Sequence, residues 1–395
     1  MLRKTNANNQ GTRAKARIVA LDRARTFIIL LVLIHHSVVN YTHFGTGDKM
    51  RWLGFDLVVL FNDSFFMACM FLISGLFVHG SLTRRGAANF LGNRAWRLGV
   101  PFLISIFVLM PVAYYPTFLR YHLPGTTDFN FLHFWWHTLT VGPWPSGPAW
   151  FLWVLLALDF IAAAVWSVAP RVVAALGWVI FALRNRPVTA FISFLIFSVV
   201  VYLPMHLIFG DTGWLEPGGY PLPIQTSRIL LYAGYFLAGV GVGAVSLKAG
   251  ILADNGELVR RWPAWLAISL LFYGAILLLV YAHHNWVADF NAPPRSWRAG
   301  YGLVFALFSA AMTFTVLAIW LRSAESRLSL LDAMRPSAYG IFLVHYIFII
   351  WLQYAVYEYS WPAEVKAAVV FAGALSLSWG LTVMLRKIPA VARMI

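Results

Sequence analysis

The segment AWFLWVLLALDFIAAAVWSVA, residues 149–169, decides the fold class. Its 21 residues carry one charged side chain, Asp159, and a helix of about 20 apolar residues spans the hydrocarbon core of a bilayer. We therefore predict a transmembrane helix here. The composition of the whole chain agrees, because 11% of its 395 residues are charged and 60% are hydrophobic, whereas soluble domains carry about 25% charged residues. Disorder is excluded by the same apolar richness.

Nine similar runs predict an all-α, polytopic membrane protein with about ten transmembrane helices. The predicted spans are 27–44, 57–79, 98–116, 149–169, 188–209, 229–248, 264–282, 301–321, 338–357 and 364–385. The run 172–183 is too short to span alone, and fits an interfacial helix or an extension of a neighbour. We expect a basic cytoplasmic segment (1–26), a ten-helix domain (27–385) and a cytoplasmic tail (386–395). No small-residue cleavage site follows the first run, which predicts a retained helix.

The basic residues predict the orientation. With the N-terminus inside, 23 of the 30 Lys and Arg residues fall in cytoplasmic segments, which places both termini in the cytoplasm. The net charge of +15 would suggest nucleic acid in a soluble protein. Here the bases lie in short gaps between apolar runs, so the expected partner is the lipid bilayer and not nucleic acid. The single cysteine, Cys69, excludes an intrachain disulfide, and no zinc-type Cys/His spacing is present, so no metal is expected.

Arg25 and His36 share a face of the first predicted helix. They are eleven residues apart, which is about three turns and a rise of about 16 Å. Arg25 is then at the cytoplasmic boundary, where arginine can bind phosphate, and His36 is near mid-membrane, where a neutral imidazole can act as a base. Alternatively, Arg25 marks topology, and His36 links helices. His35, about 100° away, is interpreted as a structural partner. Spacing alone leaves both interpretations open.

A second polar cluster lies between the second and third spans. Ser74 and Gly75 end the second span, while Arg94 and Arg97, three residues apart, share a helix face. That face would meet either lipid headgroups or a phosphorylated ligand at the cytoplasmic entrance.

Among the other ionisable residues within predicted spans, three are candidates for a role in the site or the fold. Asp63 enters the second span from outside to a depth similar to that of His36. It would either orient His36 or bond to another helix. We interpret Asp159 and His345 as structural.

The longest predicted outer segment, 117–148, is rich in aromatic residues, including Trp135, Trp136 and Trp144. Tryptophan at a membrane boundary is usually a belt residue. A platform on which sugar rings stack would have the same composition, so both interpretations stay open.

Five short motifs follow one another from about residue 21 to residue 346. They are Arg25 with His36, FLISGLF at 71–77, Phe90-Leu91-x-x-Arg94-x-x-Arg97-Leu98-x-x-Pro101, PAWFLW at 148–153, and Ser337-x-Tyr339-Gly340-Ile341-x-Leu343-x-His345. In this order on a ten-helix frame, they resemble the motifs of the acyltransferase-3 family of membrane O-acyltransferases. One departure is Pro148, which replaces a histidine of the family's fourth motif, so any role of that histidine is absent here.

The resemblance implies an acyl-CoA-dependent O-acyltransferase. Such an enzyme transfers an acyl group, acetyl or succinyl, from cytoplasmic acyl-CoA across the membrane to a hydroxyl of an extracytoplasmic carbohydrate. The motifs are most similar to the branch that succinylates periplasmic glucans, which implies a multi-pass protein of the bacterial inner membrane that modifies cell-envelope polysaccharide. Acyl-CoA is then the donor substrate.

From the sequence and this resemblance together, we predict roles for individual residues. The phosphates of coenzyme A would be held by Arg25, Arg94 and Arg97, while Ser74 and Gly75 would allow close approach of the pantetheine. His36 would deprotonate the acceptor hydroxyl, or carry the acyl group briefly, with Asp63 orienting it. The glycan would contact Trp135, Trp136 and Trp150 from outside.

Two other functions fit parts of the sequence. A transporter or flippase of a glycan or lipid-linked sugar would also use intramembrane charges and an aromatic outer loop. Transport needs no coenzyme A, so acyl-CoA binding distinguishes it from the enzyme. A structural scaffold explains the topology but not the alignment of Arg25 with His36.

Overall fold

Helices make up nearly all of the regular structure. The computed structural model describes residues 2–45, 47–122, 130–211, 213–215, 220–245, 252, 256–286, 293–324, 326 and 328–395, without the side chains of 2–17, 121 and 122. Three predicted segments therefore lie partly outside the described residues or side chains. They are the N-terminal segment (at 1–17), the outer segment (at 123–129) and the sixth span (at 246–248).

Eighteen α-helices and one two-stranded hairpin are found within the described residues. The helices are α1 (Leu2–Val38), α2 (Leu53–Asp63), α3 (Phe66–Gly75), α4 (Val78–Arg94), α5 (Val100–Ile104), α6 (Met110–His122), α7 (Phe131–Thr140), α8 (Trp150–Val168), α9 (Pro170–Ala182), α10 (Pro187–Phe209), α11 (Ile229–Ala244), α12 (Glu257–Arg260), α13 (Trp262–Trp286), α14 (Arg295–Arg322), α15 (Ser329–Met334), α16 (Ala338–Ala355), α17 (Ala363–Leu385) and α18 (Pro389–Met394). The hairpin pairs β1 (Trp214–Leu215) with β2 (Ile224–Gln225) in antiparallel register.

Nine helical stretches of the described chain are long and apolar enough to cross a membrane. They are Leu53–Gly75, Val78–Arg120, Gly147–Val168, Pro187–Phe209, Thr226–Ala244, Trp262–Trp286, Arg295–Arg322, Ser329–Ala355 and Ala363–Leu385. These correspond to the second through tenth predicted spans, and the first lies on α1, which packs against α14, α16 and α17. The all-α, polytopic prediction is confirmed. The cytoplasmic position of both termini stays a prediction from charge.

The first helix is longer than predicted. α1 runs without interruption from Leu2 to Val38, so the basic N-terminal segment and the first span are one helix. Residues 12–25 read TRAKARIVALDRAR, and Ala, Arg, Lys and Leu all favour helix. Arg25 and His36 are therefore held on one continuous helix.

The second predicted span is broken where a single helix was expected. α2 ends at Asp63 and α3 begins at Phe66, while the Ser64 hydroxyl donates to the Leu60 carbonyl at 2.6 Å. Such side-chain bonds compete with the helical pattern. Irregular backbone at membrane depth is tolerated where it is buried in protein or lines a cavity.

The third span is a long helical segment that contains three prolines and two π-helical stretches, 95–99 and 105–109. Each proline deprives the carbonyl four residues earlier of its ordinary donor. The three carbonyls are those of Arg97, Phe107 and Val112, and their donors are the side chains of Tyr339, Trp135 and Trp351 respectively. These bonds tie the third span to α16 and α7.

Glycines bring α3 and α11 into close contact. A side-chain carbon at Gly75 would collide with the Phe236 carbonyl, and one at Gly239 would collide with the Leu72 carbonyl. Small residues at membrane helix interfaces let two backbones approach in this way. The pair forms one wall of the cavity described next.

Candidate active site

A cavity of about 370 Å³ lies between α1, the α2–α3 break, α8, α11, α16 and the hairpin. Its polar lining residues are His35, His36, Asp63, Ser146 and Gln225, and its aromatic lining residues are Phe66, Tyr114, Trp150, Trp214, Tyr232, Phe342 and Tyr346. An aromatic cleft of this size with a few convergent polar groups is the usual form of a small-molecule site.

His36 lies in a group of aromatic rings in this cavity. Its ring centroid is 5.3 Å from that of His35, 5.5 Å from that of His345 and 5.2 Å from that of Tyr346. The Gln353 side chain donates to the His36 carbonyl at 2.9 Å, which ties the end of α1 to α16. The backbone of His36 is thus fixed against α16, its ring packs among neighbouring rings, and the residue lines the cavity.

Two neighbouring imidazoles have unused nitrogens. His345 Nδ1 donates to the Phe342 carbonyl at 2.6 Å, so in the neutral ring Nε2 is the basic nitrogen. Within the described residues, neither His345 Nε2 nor His35 Nδ1 has a hydrogen-bond partner, although both are buried. Such groups call for a functional or solvent explanation, because most buried polar atoms are paired.

Asp63 is bound to an arginine that the sequence analysis did not identify. Arg228 donates to both Asp63 carboxylate oxygens, at 2.9 and 2.5 Å, and to the Asp63 backbone carbonyl at 3.0 Å. The Arg228 side chain is 2% exposed, whereas that of Asp63 is 40% exposed. Asp63 therefore presents an anchored carboxylate to the cavity, and its role in orienting His36 stays a prediction.

The hairpin covers one side of the cavity. Trp214 and Gln225 are opposite each other across the two strands, and both line the cavity. Trp153 of α8 donates to the Pro223 carbonyl at 3.2 Å, which fixes the hairpin to α8.

The three tryptophans predicted to contact a glycan are in different places. Trp150 lines the cavity and stacks on Tyr232, with ring centroids 5.5 Å apart. Trp135 and Trp136 lie on α7 and are not among the cavity's lining residues. Trp135 donates to the Phe107 carbonyl at 2.7 Å, and Trp136 is 61% exposed. A glycan contact at these two stays a prediction, and the belt interpretation fits their positions as well.

The predicted donor-site arginines lie near one another. Arg25 has Arg94 and Arg97 within electrostatic range. Its guanidinium contacts Asp22 at 3.3 Å and the Ile73 carbonyl at 3.4 Å, and lies 4.4 Å from the ring centroid of Phe77. These hydrogen bonds are longer than the 2.7–2.9 Å or so of strong charge-assisted bonds, so Arg25 is loosely held.

The other donor-site residues differ in exposure. Arg94 forms an ion pair with the buried Asp159 at 3.2 Å, which fits a structural role for Asp159, while the Arg97 side chain is exposed. Ser74 is half-buried, and Gly75 faces the Phe236 backbone of α11. The missing side chain of Gly75 serves helix packing, and its predicted contact with pantetheine stays a prediction.

Several cavity residues were missed from sequence. Arg228 carries the clearest signal, because it is a basic residue at the predicted outer start of a span, and a buried charge requires a partner such as Asp63. Gln225, Tyr114 and Trp214 carry no such signal. No group of three or more His, Cys, Asp or Glu side chains that could hold a metal ion is found among the described residues.

Nine helical stretches of the described chain are long and apolar enough to span a membrane. The helices enclose a cavity with clustered imidazoles and also carry a group of arginines. These features define an integral membrane protein with an enzyme-like site. A family comparison supplies the class of reaction. The chain belongs to the acyltransferase-3 family, whose acyltransferase domain matches residues 18–384. The match runs from α1 to α17. A search of the curated proteins finds no match. The protein is therefore a multi-pass membrane acyltransferase.

Proposed function

We propose that this acyltransferase moves an acyl group, acetyl or succinyl, from cytoplasmic acyl-CoA to a hydroxyl of an extracytoplasmic carbohydrate such as a periplasmic glucan, in the bacterial inner membrane. One observation carries the proposal. Arg25, beside two other arginines, and His36, in the cavity, lie on the same unbroken helix. They are separated along it by about 16 Å.

The donor would bind at the arginines. Coenzyme A carries several phosphate groups, and guanidinium groups bind phosphate through paired, charge-assisted hydrogen bonds. Arg25 is 31% exposed and its present contacts are long. A phosphate can replace them at little cost, and the nearby Arg97 side chain is exposed as well. The pantetheine arm would then extend along α1 and carry its terminal thioester toward His36.

The acceptor would bind in the cavity. A sugar ring presents apolar C–H faces and a rim of hydroxyls. The rings of Trp150 and Trp214 would pack against the C–H faces of the sugar. The side chains of Asp63 and Gln225 would form hydrogen bonds with its hydroxyls. Because Asp63 is anchored by Arg228, its carboxylate is a fixed hydrogen-bond acceptor for a hydroxyl.

His36 would carry out the proton transfers. A neutral ring nitrogen takes the proton of the acceptor hydroxyl while its oxygen attacks the thioester carbonyl. The new C–O bond forms, the C–S bond breaks, and the coenzyme A thiolate takes the proton from the imidazolium. General base catalysis of this kind contributes about 10²–10⁴-fold. Brief attachment of the acyl group to His36 is the other route through the same residue.

The test is transfer by the purified protein in lipid vesicles. Labelled succinyl-CoA or acetyl-CoA is supplied on one side and a periplasmic glucan on the other, and the glucan is analysed by mass spectrometry. The proposal predicts an acyl ester on the glucan with one of the two donors, and saturable binding of that donor. Passage of unmodified glucan without any binding of acyl-CoA would contradict it and favour transport.

A further inference from the structure

A second and larger cavity, of about 570 Å³, lies on the opposite face of α11 from the reaction cavity. Tyr232 lines the first cavity, whereas Ala233, Gly234 and Leu237 line the second, and at about 100° per residue these two sets point to opposite sides of the helix. The second cavity is a groove with walls from α9, α10 and α11. Among its lining residues Ser193 alone has a polar side chain.

The length of the groove matches one leaflet of a bilayer. Its lining on α11 runs from Leu230 to Val242, which is about 18 Å of helix, and on α10 from Ala190 to Val201, about 16 Å. Half of a hydrocarbon core is about 15 Å. The groove therefore fits an extended acyl chain that enters from one side of the membrane.

Four arginines follow, in the sequence, residues that line one end of the groove. The lining residue Leu183 is followed by Arg184 and Arg186, and the lining residue Leu258 is followed by Arg260 and Arg261. All four arginines are exposed. Arg260 and Arg261 share one carboxylate, that of Glu257, at 3.8 and 2.9 Å.

The excess positive charge at this end attracts an anion, because basic residues next to a membrane span bind anionic headgroups. We propose that the groove holds one acyl chain of an anionic phospholipid, whose phosphate binds Arg184 and Arg186. The acyl chain of the lipid packs against α11 on the face opposite Tyr232. This site is separate from acyl transfer and does not depend on the function proposed above.

Native mass spectrometry of the purified full chain tests the proposal. Phosphatidylglycerol and phosphatidylcholine with identical chains are added in equal amounts. Phosphatidylglycerol should remain bound about tenfold more than phosphatidylcholine, because the two headgroups differ in charge. Ala238→Phe, which fills the groove, should abolish this binding. Arg184→Gln with Arg186→Gln should reduce it to the level of phosphatidylcholine.

Matched controls are available on other surfaces. Ala372→Phe adds the same bulk on an exposed face of α17, and Arg84→Gln with Arg85→Gln removes two exposed charges elsewhere. Both should bind phosphatidylglycerol as the wild type does. Equal retention of the two lipids by the wild type, or undiminished phosphatidylglycerol binding by both groove variants, would overturn the proposal. So would a lipid-linked sugar found in the groove in place of a phospholipid.

Discussion

Two arginines of α1, two positions apart, have opposite environments. Arg23 donates to both carboxylate oxygens of Asp332, at 2.8 and 2.7 Å, and to the carbonyls of Ser323 and Ser326, each at 2.7 Å. Its side chain is 4% exposed. Arg25 makes two hydrogen bonds, of 3.3 and 3.4 Å, and is 31% exposed.

The two environments indicate a structural role for Arg23 and a ligand-binding role for Arg25. Both arginines belong to the same short sequence, Leu-Asp-Arg-Ala-Arg-Thr, and composition cannot tell them apart. The guanidinium of Arg23 is saturated with short bonds, so it joins α1 to the α14–α15 connection. That of Arg25 keeps donors available for a ligand.

The largest expected effect is on stability at Arg23. Arg23→Gln should lower the free energy of unfolding by about 3 kcal/mol, because Asp332 and two carbonyls lose their donor and hydrogen bonds to charged groups contribute about 1.5–3 kcal/mol. Thermal unfolding in detergent measures the change. Arg84→Gln, on an exposed surface, should leave the melting temperature unchanged. A melting temperature for Arg23→Gln equal to that of the wild type would remove the structural assignment.

The opposite result is expected at Arg25. Arg25→Gln should weaken binding of acyl-CoA by about 10- to 100-fold, since hydrogen bonds to charged groups contribute about 1.5–3 kcal/mol. Its melting temperature should stay close to that of the wild type, because the contacts it loses are long and partly exposed. Titration calorimetry with acyl-CoA measures the affinity. Unchanged affinity would mean that Arg25 is only a topology marker.

A structural role can also be separated from a ligand-binding role at Ser74 and Gly75. Gly75→Ala should destabilise the protein by about 1–3 kcal/mol, as overpacking does, because the added carbon meets the Phe236 carbonyl. Ser74→Ala, at a half-buried position, serves as the matched control and should change stability by less than about 0.5 kcal/mol. If Gly75→Ala instead melted normally and weakened acyl-CoA binding, the glycine would belong to the donor site.

The smallest expected effect concerns Asp159. Asp159→Asn removes the buried carboxylate that pairs with Arg94. This change should tighten acyl-CoA binding by less than about fivefold, since the repulsion it relieves, between Asp159 and a phosphate on the solvent side of Arg94, is about 1 kcal/mol or less. Asp56→Asn, which removes a carboxylate paired with His43, should have no such effect. Weaker binding in Asp159→Asn would show that Asp159 positions Arg94 for the ligand.

The spans and their faces could be predicted from sequence because they depend on local properties. Apolar length locates the helices, and helical periodicity aligns Arg25 with His36. The pairing of Asp63 with Arg228, 165 residues away, depends on how the end of α2 meets the turn before α11 and cannot be read from either segment. Arg228 also binds the backbone carbonyl of Asp63, which stabilises the break after that residue beside the Ser64 bond described above.

The different roles of Arg23 and Arg25 could not be predicted from the sequence either, because Asp332, the partner of Arg23, is 309 residues away in the chain. The sequence did predict ionisable residues in the spans, and each such residue needs a partner or a ligand. Which of the two applies depends on tertiary contacts, as the different positions of Trp135 and Trp150 also illustrate.

The central claim is that the imidazole of His36 performs the acyl transfer in the cavity. The most direct test is the rate of ester formation by His36→Gln at saturating donor and acceptor, beside His137→Gln, which changes an exposed histidine of α7. We expect His36→Gln to lose about 10²–10⁴-fold in rate with an unchanged melting temperature, and His137→Gln to lose nothing. A wild-type rate in His36→Gln would contradict the account.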